Sequence, residues 1–366
     1  MSVKASVVSN FLNNWAQISW AESYDNVGLL VGEPDTEVNA VLVCLDVSPE
    51  VIEEAIERQC QMVVAHHPVI FKGLHKITGA QYTERLVLKA IRHGICIHAI
   101  HTNLDNSFFG VNQTLALKLG FKPTQVLRPF RGNLEKLVTY APVSSTESVL
   151  QAMFAAGAGS LGGYKECSFV LEGKGSFLPT ANTNPAIGEK GIRNAVAEKR
   201  IEVLIRKEST QKVIDALKQA HPYEEVAYDC IPLSNTDLEL GSGMLSMLPE
   251  PLSENELLAQ IKQVLQVPFV KHSPKLNRMV EKVAICGGSG SFLIEDAKAS
   301  GAQVYITSDL KYHDYFKADN QLVLVDAGHY ETEQFTSELI AEKLRSEFDT
   351  FAVLLTETNT NPISYG

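Results

Sequence analysis

The sequence predicts an α/β protein: two α/β halves form a layered core, with helices flanking mainly parallel sheets, interrupted by a ferredoxin-like α+β insertion. Three observations predict it. Apolar runs of strand type alternate with segments of helical period from Val38 to Ile100, and again from Ser253 to Leu355, as in a parallel sheet covered by helices. Between them, from about Leu137 to Leu233, the order becomes strand, helix, strand, strand, helix, strand, a split βαβ pattern. The length, 366 residues, also exceeds one typical domain. The boundaries follow as an N-terminal half over 1–129, an inserted domain over 130–237 and a C-terminal half over 238–366.

Val3, Val7, Val8, Phe11, Leu12 and Trp15 recur at helical spacing, so the chain opens on a helix within residues 3–17. The turn-rich segment from Ala21 to Gly32 enters a short strand, and Val38 to Asp46 is a continuous apolar strand. Ser48-Pro49-Glu50 then starts a helix that runs to about Cys60, with proline in the first turn. Met62-Val63-Val64-Ala65 is a short strand that ends in His66-His67-Pro68. Proline has no backbone donor and pushes the residue before it towards an extended conformation, so His67 closes that strand. A helix from about Thr83 to His93 and a strand from Ile95 to Ile100 follow, ending at His101-Thr102-Asn103-Leu104-Asp105. In the insertion, strands Leu137–Ala141, Lys165–Leu171, Arg200–Arg206 and Val226–Ile231 alternate with helices Thr146–Ala156 and Ser209–Ala220. After Gly241-Ser242-Gly243 come a helix to about Leu265, a strand Glu281–Cys286, and Gly287-Gly288-Ser289-Gly290-Ser291 opening a further helix. The strand Gln303–Thr307, a helical turn at Tyr312–Phe316 and the strand Leu322–Val325 lead to one long helix from His329 to Phe348, then a last strand Thr350–Leu355.

Composition excludes several classes. The formal net charge is −11, with no basic tract, which argues against nucleic acid as the main partner, because phosphate binding needs clustered Lys and Arg. Six cysteines are scattered without a CxxC pair, several inside apolar runs such as Val43-Cys44-Leu45. That usage fits a reducing, cytoplasmic setting with no disulfide framework and no thiolate zinc site. No apolar run approaches the roughly 20 residues of a membrane span, and the N-terminus lacks a signal-peptide core.

The chemistry gathers at strand ends, where α/β proteins collect ligands. His66 and His67 are adjacent imidazoles whose side chains diverge and suit two neighbouring metal ions; the plainer reading is one exposed and one core histidine. His329 and Glu333 lie four apart at a helix start and so share one face. His101 and Asp105 end another strand, whereas His98 alternates with His101 and reads as core. Together His66, His67, Asp105, His329 and Glu333 offer three imidazoles and two carboxylates. Five ligands leave open positions on two ions, which marks catalytic more than structural sites. A nitrogen and oxygen donor set without thiolate suits zinc, manganese, iron or cobalt alike. Gly287, Gly288, Ser289 and Gly290 form either an anion cradle or a tight turn for helix packing. Tyr312 and His313 are either substrate-positioning groups or a surface helix start, and they join Glu333 and His101 as catalytic candidates. His221-Pro222-Tyr223-Glu224-Glu225 reads as a turn, and the run Phe177 to Asn182 as a long loop of the kind that carries binding roles.

Taken in order, Ser23-Tyr24-Asp25-Asn26-Val27-Gly28-Leu29, Ala65-His66-His67-Pro68, His101-Thr102-Asn103-Leu104-Asp105, Cys286-Gly287-Gly288-Ser289-Gly290-Ser291 and Ala327-Gly328-His329-Tyr330-Glu331-Thr332-Glu333 resemble the GTP cyclohydrolase 1 type 2-like family, also called NGG-interacting-factor-three-like. The resemblance spans both flanks. It implies a dinuclear site with His66 and His67 on different ions, Asp105 and His329 adding one ligand each, and Glu333 bridging. It also implies a ferredoxin-like insertion and a homohexameric ring. The function expected is a metal-dependent hydrolase acting on a small molecule, a nucleotide or phosphoester. The alternative is a metal-binding scaffold or regulatory protein that acts through the inserted domain.

Overall fold

The computed structural model describes residues 2–365. The chain divides into two compact units, one made of 1–128 with 239–366 and the other of 129–238.

The first unit holds two large sheets and one two-stranded pair, Val3–Lys4 with Glu37–Val38. A five-stranded sheet runs, edge to edge, Ala352–Leu355, Ala40–Cys44, Met62–Ala65, Cys96–Ala99, Gly28–Val31. The first four are parallel, and Gly28–Val31 closes the edge antiparallel. Every residue of the three inner strands is buried, which explains why they read as unbroken apolar runs: helices cover both faces. Val41, Val43, Met62 and Val64 pack under the helices Ala5–Trp15 and Thr336–Glu347. Their alternates Leu42, Cys44, Val63 and Ala65 pack under Pro49–Glu57 and Tyr82–Arg92.

The six-stranded sheet runs Lys271–His272, Val323–Asp326, Val304–Ser308, Met279–Ser289, Thr236–Ser253, Lys122–Arg131. Its three central strands are parallel, while Lys271–His272 and Thr236–Ser253 pair antiparallel with their neighbours. Both sheets are therefore mixed at their edges rather than parallel throughout. The long strands Lys122–Arg131 and Thr236–Ser253 were hidden in the sequence by turn residues: Gly241 and Gly243 punctuate the second, and its register shifts between Met247 and Leu252 where Pro249 and Pro251 lie. A second departure concerns the last strand. Ala352–Leu355 comes from the C-terminal half but pairs with Ala40–Cys44 of the N-terminal half, so the two halves share a sheet.

The unit 129–238 has the element order strand, helix, strand, strand, helix, strand. Its antiparallel sheet runs Tyr228–Pro232, Leu134–Pro142, Asn194–Arg206, Ser168–Phe177, that is fourth, first, third, second. The helices Thr146–Ala155 and Thr210–Ala220 cover one face, where Leu137, Val149, Met153, Ile201, Val203 and Leu217 form a core of its own.

Candidate metal centre

The strand Met62–Ala65 delivers His66 and His67 to the carboxyl edge of the five-stranded sheet, and their amides still bond the next strand's Cys44 and Leu45 carbonyls, at 3.2 and 2.9 Å. Past the end of Cys96–Ala99, the backbone of His101 leaves the extended conformation and Thr102–Asp105 forms a single helical turn. Asp25 secures that turn by accepting from the Thr102 amide at 3.1 Å and from its hydroxyl. The turn carries Asp105 inward. From the other sheet, Val323–Asp326 leads through Ala327-Gly328 into the short helix His329–Glu333. The sequence reads one helix from His329 to Phe348, but it breaks after Glu333 and resumes at Thr336. There the Gln334 side-chain amide donates to the Glu331 carbonyl at 3.0 Å, taking an acceptor the helix would use.

These segments bring His66, His67, Asp105, His329 and Glu333 together. Two donor triads share Glu333 and otherwise differ: His67, His329 and Glu333, and His66, Asp105 and Glu333, with ligand atoms within 4.8 Å of one another. A third triad is His66, His67 and His101. Either kind of group could hold a metal ion.

The ring orientations favour a cation. His67 Nδ1 lies 2.7 Å from Asp46, His329 Nδ1 2.7 Å from Asp309, His101 Nδ1 2.9 Å from Asp25, and His66 Nδ1 2.8 Å from the Ile100 carbonyl. Each Nδ1 faces an acceptor and so carries the proton, which leaves Nε2 bare in the neutral ring. Those bare nitrogens converge on a carboxylate. Glu333 Oε2 is 2.9 Å from His67 Nε2 and 3.1 Å from His329 Nε2, and the two ring nitrogens are 3.4 Å apart. His66 Nε2 is 3.6 Å from Asp105 Oδ1. His66 Nε2, Asp105 Oδ1 and Glu333 Oε2 are buried without a hydrogen-bond partner, an arrangement that costs free energy unless a positive charge sits between them. A carboxylate or carbonyl behind each ligating histidine is the usual second layer of a metal site.

The titration of these groups shows the same strain. Burial drives His66 down to about 3. Burial also opposes charge on His67 and His329, but Asp46 and Glu333 hold the first at about 10, and Glu333 and Asp309 the second at about 9. Burial, then the charge of Glu333, pushes the Asp105 carboxyl up to about 7. Glu333 itself is held well below the carboxylate range: its burial works against the charge, and His329 and His67 outweigh it.

Other candidates fall elsewhere. In the loop at Gly287–Ser291 the first two amides are committed, Gly287 donating to Asn112 at 2.9 Å and Gly288 to the Thr332 hydroxyl at 3.0 Å, so neither is left to hold an anion. Ser289 still belongs to the strand Met279–Ser289, and Gly290 is its cap into a short helical turn. The glycine at 288 has a spatial reason instead: its φ is +63°, and a Cβ there would overlap Glu333 Oε1. Tyr312 meets His313 and Phe316 edge-to-face along the short helix Tyr312–Ala318, outside the cleft, with Tyr312 74% exposed. His98 is buried beside Ser9, and His221 is tied to the Tyr140 carbonyl at 2.9 Å as part of a turn. All six cysteines are free. Sequence reasoning missed Asp46 and Asp309, whose only signal was a carboxylate just beyond an apolar strand, and it quoted Asp25 without giving it a role. It also missed the C-terminal tail, where Thr360 reaches Asp46 at 3.2 Å and Asn361 and Tyr365 bond Glu331 at 2.8 and 2.9 Å.

The site opens into a cleft of about 500 Å³ walled by Tyr24, Phe71, Phe292, Tyr330 and Ile363. No Lys or Arg lines it among the described residues. Residues 3–362 match the family Duf34/NIF3 (NGG1p interacting factor 3). The chain belongs to the Duf34/NIF3 family. Relatives named GTP cyclohydrolase 1 type 2 homolog include one from Bacillus subtilis, 38% identical over 100% of this chain and 99% of its own length, and one from Mycobacterium tuberculosis, 34% identical over 95% and 93%. Among solved structures, a Bacillus cereus protein related to NIF3 superposes with a TM-score of 0.87 at 34% identity, covering 100% of this chain and 99% of the other. A Staphylococcus aureus protein gives 0.79 at 30% identity over 99% of each. The Duf34/NIF3 fold is thus the setting of this centre, and among the described residues no helix is long and apolar enough to cross a membrane.

Proposed function

We propose that this Duf34/NIF3 protein is a hydrolase that works with two divalent metal ions on a small molecule. The observation that carries the reading is the pair of donor triads sharing Glu333. His66 and Asp105 would hold one ion, His67 and His329 the other, and Glu333 would touch both. Zinc is the first choice for these donors, with manganese, iron or cobalt as alternatives. When bound, the pair supplies a water activated near neutral pH and polarises the group under attack.

The chain's own residues would do the rest. Asp46, Asp309 and the Ile100 carbonyl fix the ring planes, so each Nε2 stays aimed into the cleft. His101, held by Asp25, presents its Nε2 beside His66 and His67 for a hydrogen bond to substrate. Tyr24 and Phe71, with ring centroids 6.2 Å apart, offer an aromatic wall to a planar group. A cleft without Lys or Arg lacks the charged side chains that grip a phosphate chain most strongly. For a nucleotide, this favours the ring at the metals and the phosphates towards solvent, the orientation that a ring-opening activity of the kind in the relatives' name requires. Simple phosphoester cleavage is the less favoured chemistry.

The test is metal analysis of the purified protein, then turnover with GTP and with p-nitrophenyl phosphate, with and without added metal. Two ions per chain, ring opening of GTP by the loaded protein, and its loss in a folded Glu333→Ala variant are expected. Undiminished turnover in metal-depleted Glu333→Ala would overturn the reading. Assembly as a homohexamer belongs to the same proposal and rests on family membership; light scattering at six times the 40.2 kDa chain checks it.

The scaffold or regulatory alternative has one observation of its own, a second cavity inside the unit 129–238.

A further inference from the structure

That cavity has a volume of about 470 Å³, within the range of small-molecule sites. Two stretches that the metal chemistry leaves unused build it: the loop after Phe177 and the turn His221-Pro222-Tyr223-Glu224-Glu225. Tyr140, Phe177, Leu178, Pro185, Ile187 and Tyr223 supply apolar and aromatic wall. His221 fixes the turn, bonding the Tyr140 carbonyl through Nε2 and accepting from the Tyr223 amide at 3.1 Å. The Asn184 amide donates to Glu224 at 2.8 Å and ties the loop to the turn.

Of the three carboxylates that line the cavity, Glu198, Glu224 and Glu225, one is buried. Glu198, on the strand Asn194–Arg206, is only 9% exposed and lines the cavity. Its Oε1 accepts from the Tyr223 hydroxyl at 2.8 Å, and burial with the Glu198 charge pushes that phenol up, so it remains a donor. Glu198 forms no ion pair with a Lys or Arg among the described residues, although Lys199 next to it pairs outward with Glu172. Gly175 on the neighbouring strand makes the position available, since a Cβ there would overlap Glu198 Oε2. Tyr223 occupies one oxygen of this carboxylate, and the other has no hydrogen-bond partner among the described residues, so a cation entering the cavity finds an acceptor free to pair with it. Aromatic faces around it favour the same charge. Glu224 and Glu225 at the rim add negative potential and no positive group.

We infer that the unit 129–238 carries a binding site for a small organic ammonium ion, a primary amine on an apolar or aromatic body, with Glu198 as its anchor and Tyr223 as the residue that orients Glu198. This site lies wholly within one unit and does not depend on the metal reading.

Calorimetric titration of the full chain with phenethylamine, tryptamine and hexylamine tests it, against the neutral analogues 2-phenylethanol and tryptophol. At least one amine is expected to bind saturably with one site per chain, at least tenfold tighter than its alcohol. Glu198→Gln is expected to lower amine affinity at least tenfold and to leave metal content at the His66–Glu333 centre unchanged. Tyr223→Phe should weaken it severalfold while preserving the preference for amine over alcohol. Failure of all three amines to bind, or equal affinity for amine and alcohol, overturns the proposal without recourse to any variant. Unchanged amine binding by a folded Glu198→Gln protein overturns it as well. Should Glu198→Gln not fold, the exposed pair Glu224→Gln and Glu225→Gln gives a second reading, expected to weaken amine binding severalfold at low salt; no change there counts against the site.

Discussion

At the scale of single residues, the informative atoms are those left facing the wrong partner. Three ring nitrogens and two carboxylates pointed at each other make poor sense as a core and good sense as a cation cage. The carboxylates behind the rings follow as testable parts. Asp46→Asn keeps the size of the side chain but weakens the acceptor opposite His67 Nδ1, so metal affinity is expected to fall about 10- to 100-fold, as for outer-layer partners elsewhere. Metal titration of purified protein, with circular dichroism as the fold control, measures it. His98 makes the opposite case, a histidine with a purely structural place. Burial holds it down at about 3, against an ordinary value near 6.5. The unfolded chain therefore takes up a proton below about 6.5 that folded His98 refuses, and stability drops as pH falls across that window, by up to about 1.4 kcal/mol per pH unit. Urea unfolding between pH 7 and 4 should show a shallower slope for His98→Gln than for the wild type; equal slopes would remove His98 from the account.

At the scale of elements, the centre depends on how closely two sheets' ends approach. The strand Met279–Ser289 must pass against the helix His329–Glu333, and Gly288 is the point of passage. Gly288→Ala places a Cβ where Glu333 Oε1 lies and asks a non-glycine residue to adopt φ +63°. The expected result is a folded protein with depressed metal occupancy, read by elemental analysis beside a thermal melt; full occupancy would show that Glu333 has room to move. The same elements show what a sequence exposes. Fully buried parallel strands and their histidine-bearing ends are legible, because two-sided burial leaves an unbroken apolar run and Pro68 marks its stop. The one-turn helix at Thr102–Asp105 is not, since it is held by Asp25 from 77 residues away rather than by local propensity. The edge strand Lys122–Arg131 is equally obscured, since proline is tolerated at an edge and Pro123 and Pro129 read as breaks. The tail that crosses Glu331 and Asp46 gives no local signal at all, because its partners lie in other segments.

At the scale of the whole molecule, division of labour follows from where the cores lie. The apolar core of 129–238 contains no residue of the other unit, and all five proposed ligands belong to 1–128 and 239–366. The chain passes between the units twice, along Lys122–Arg131 and Thr236–Ser253, and these strands are neighbours in the six-stranded sheet. Their proximity means that Arg128 can be joined to Glu239 through a short Gly/Ser linker without pulling either strand from its partner. The shortened chain is expected to unfold cooperatively, to bind the same number of metal ions as the full protein and to keep basal turnover, while losing every trace of amine binding. Elemental analysis, the GTP assay and calorimetry separate these outcomes. If the shortened chain folds but binds no metal, the insertion supplies part of the centre and the assignment of five ligands is incomplete. If it keeps metal but loses turnover, the insertion acts on substrate, and the regulatory reading of the amine site gains the stronger claim.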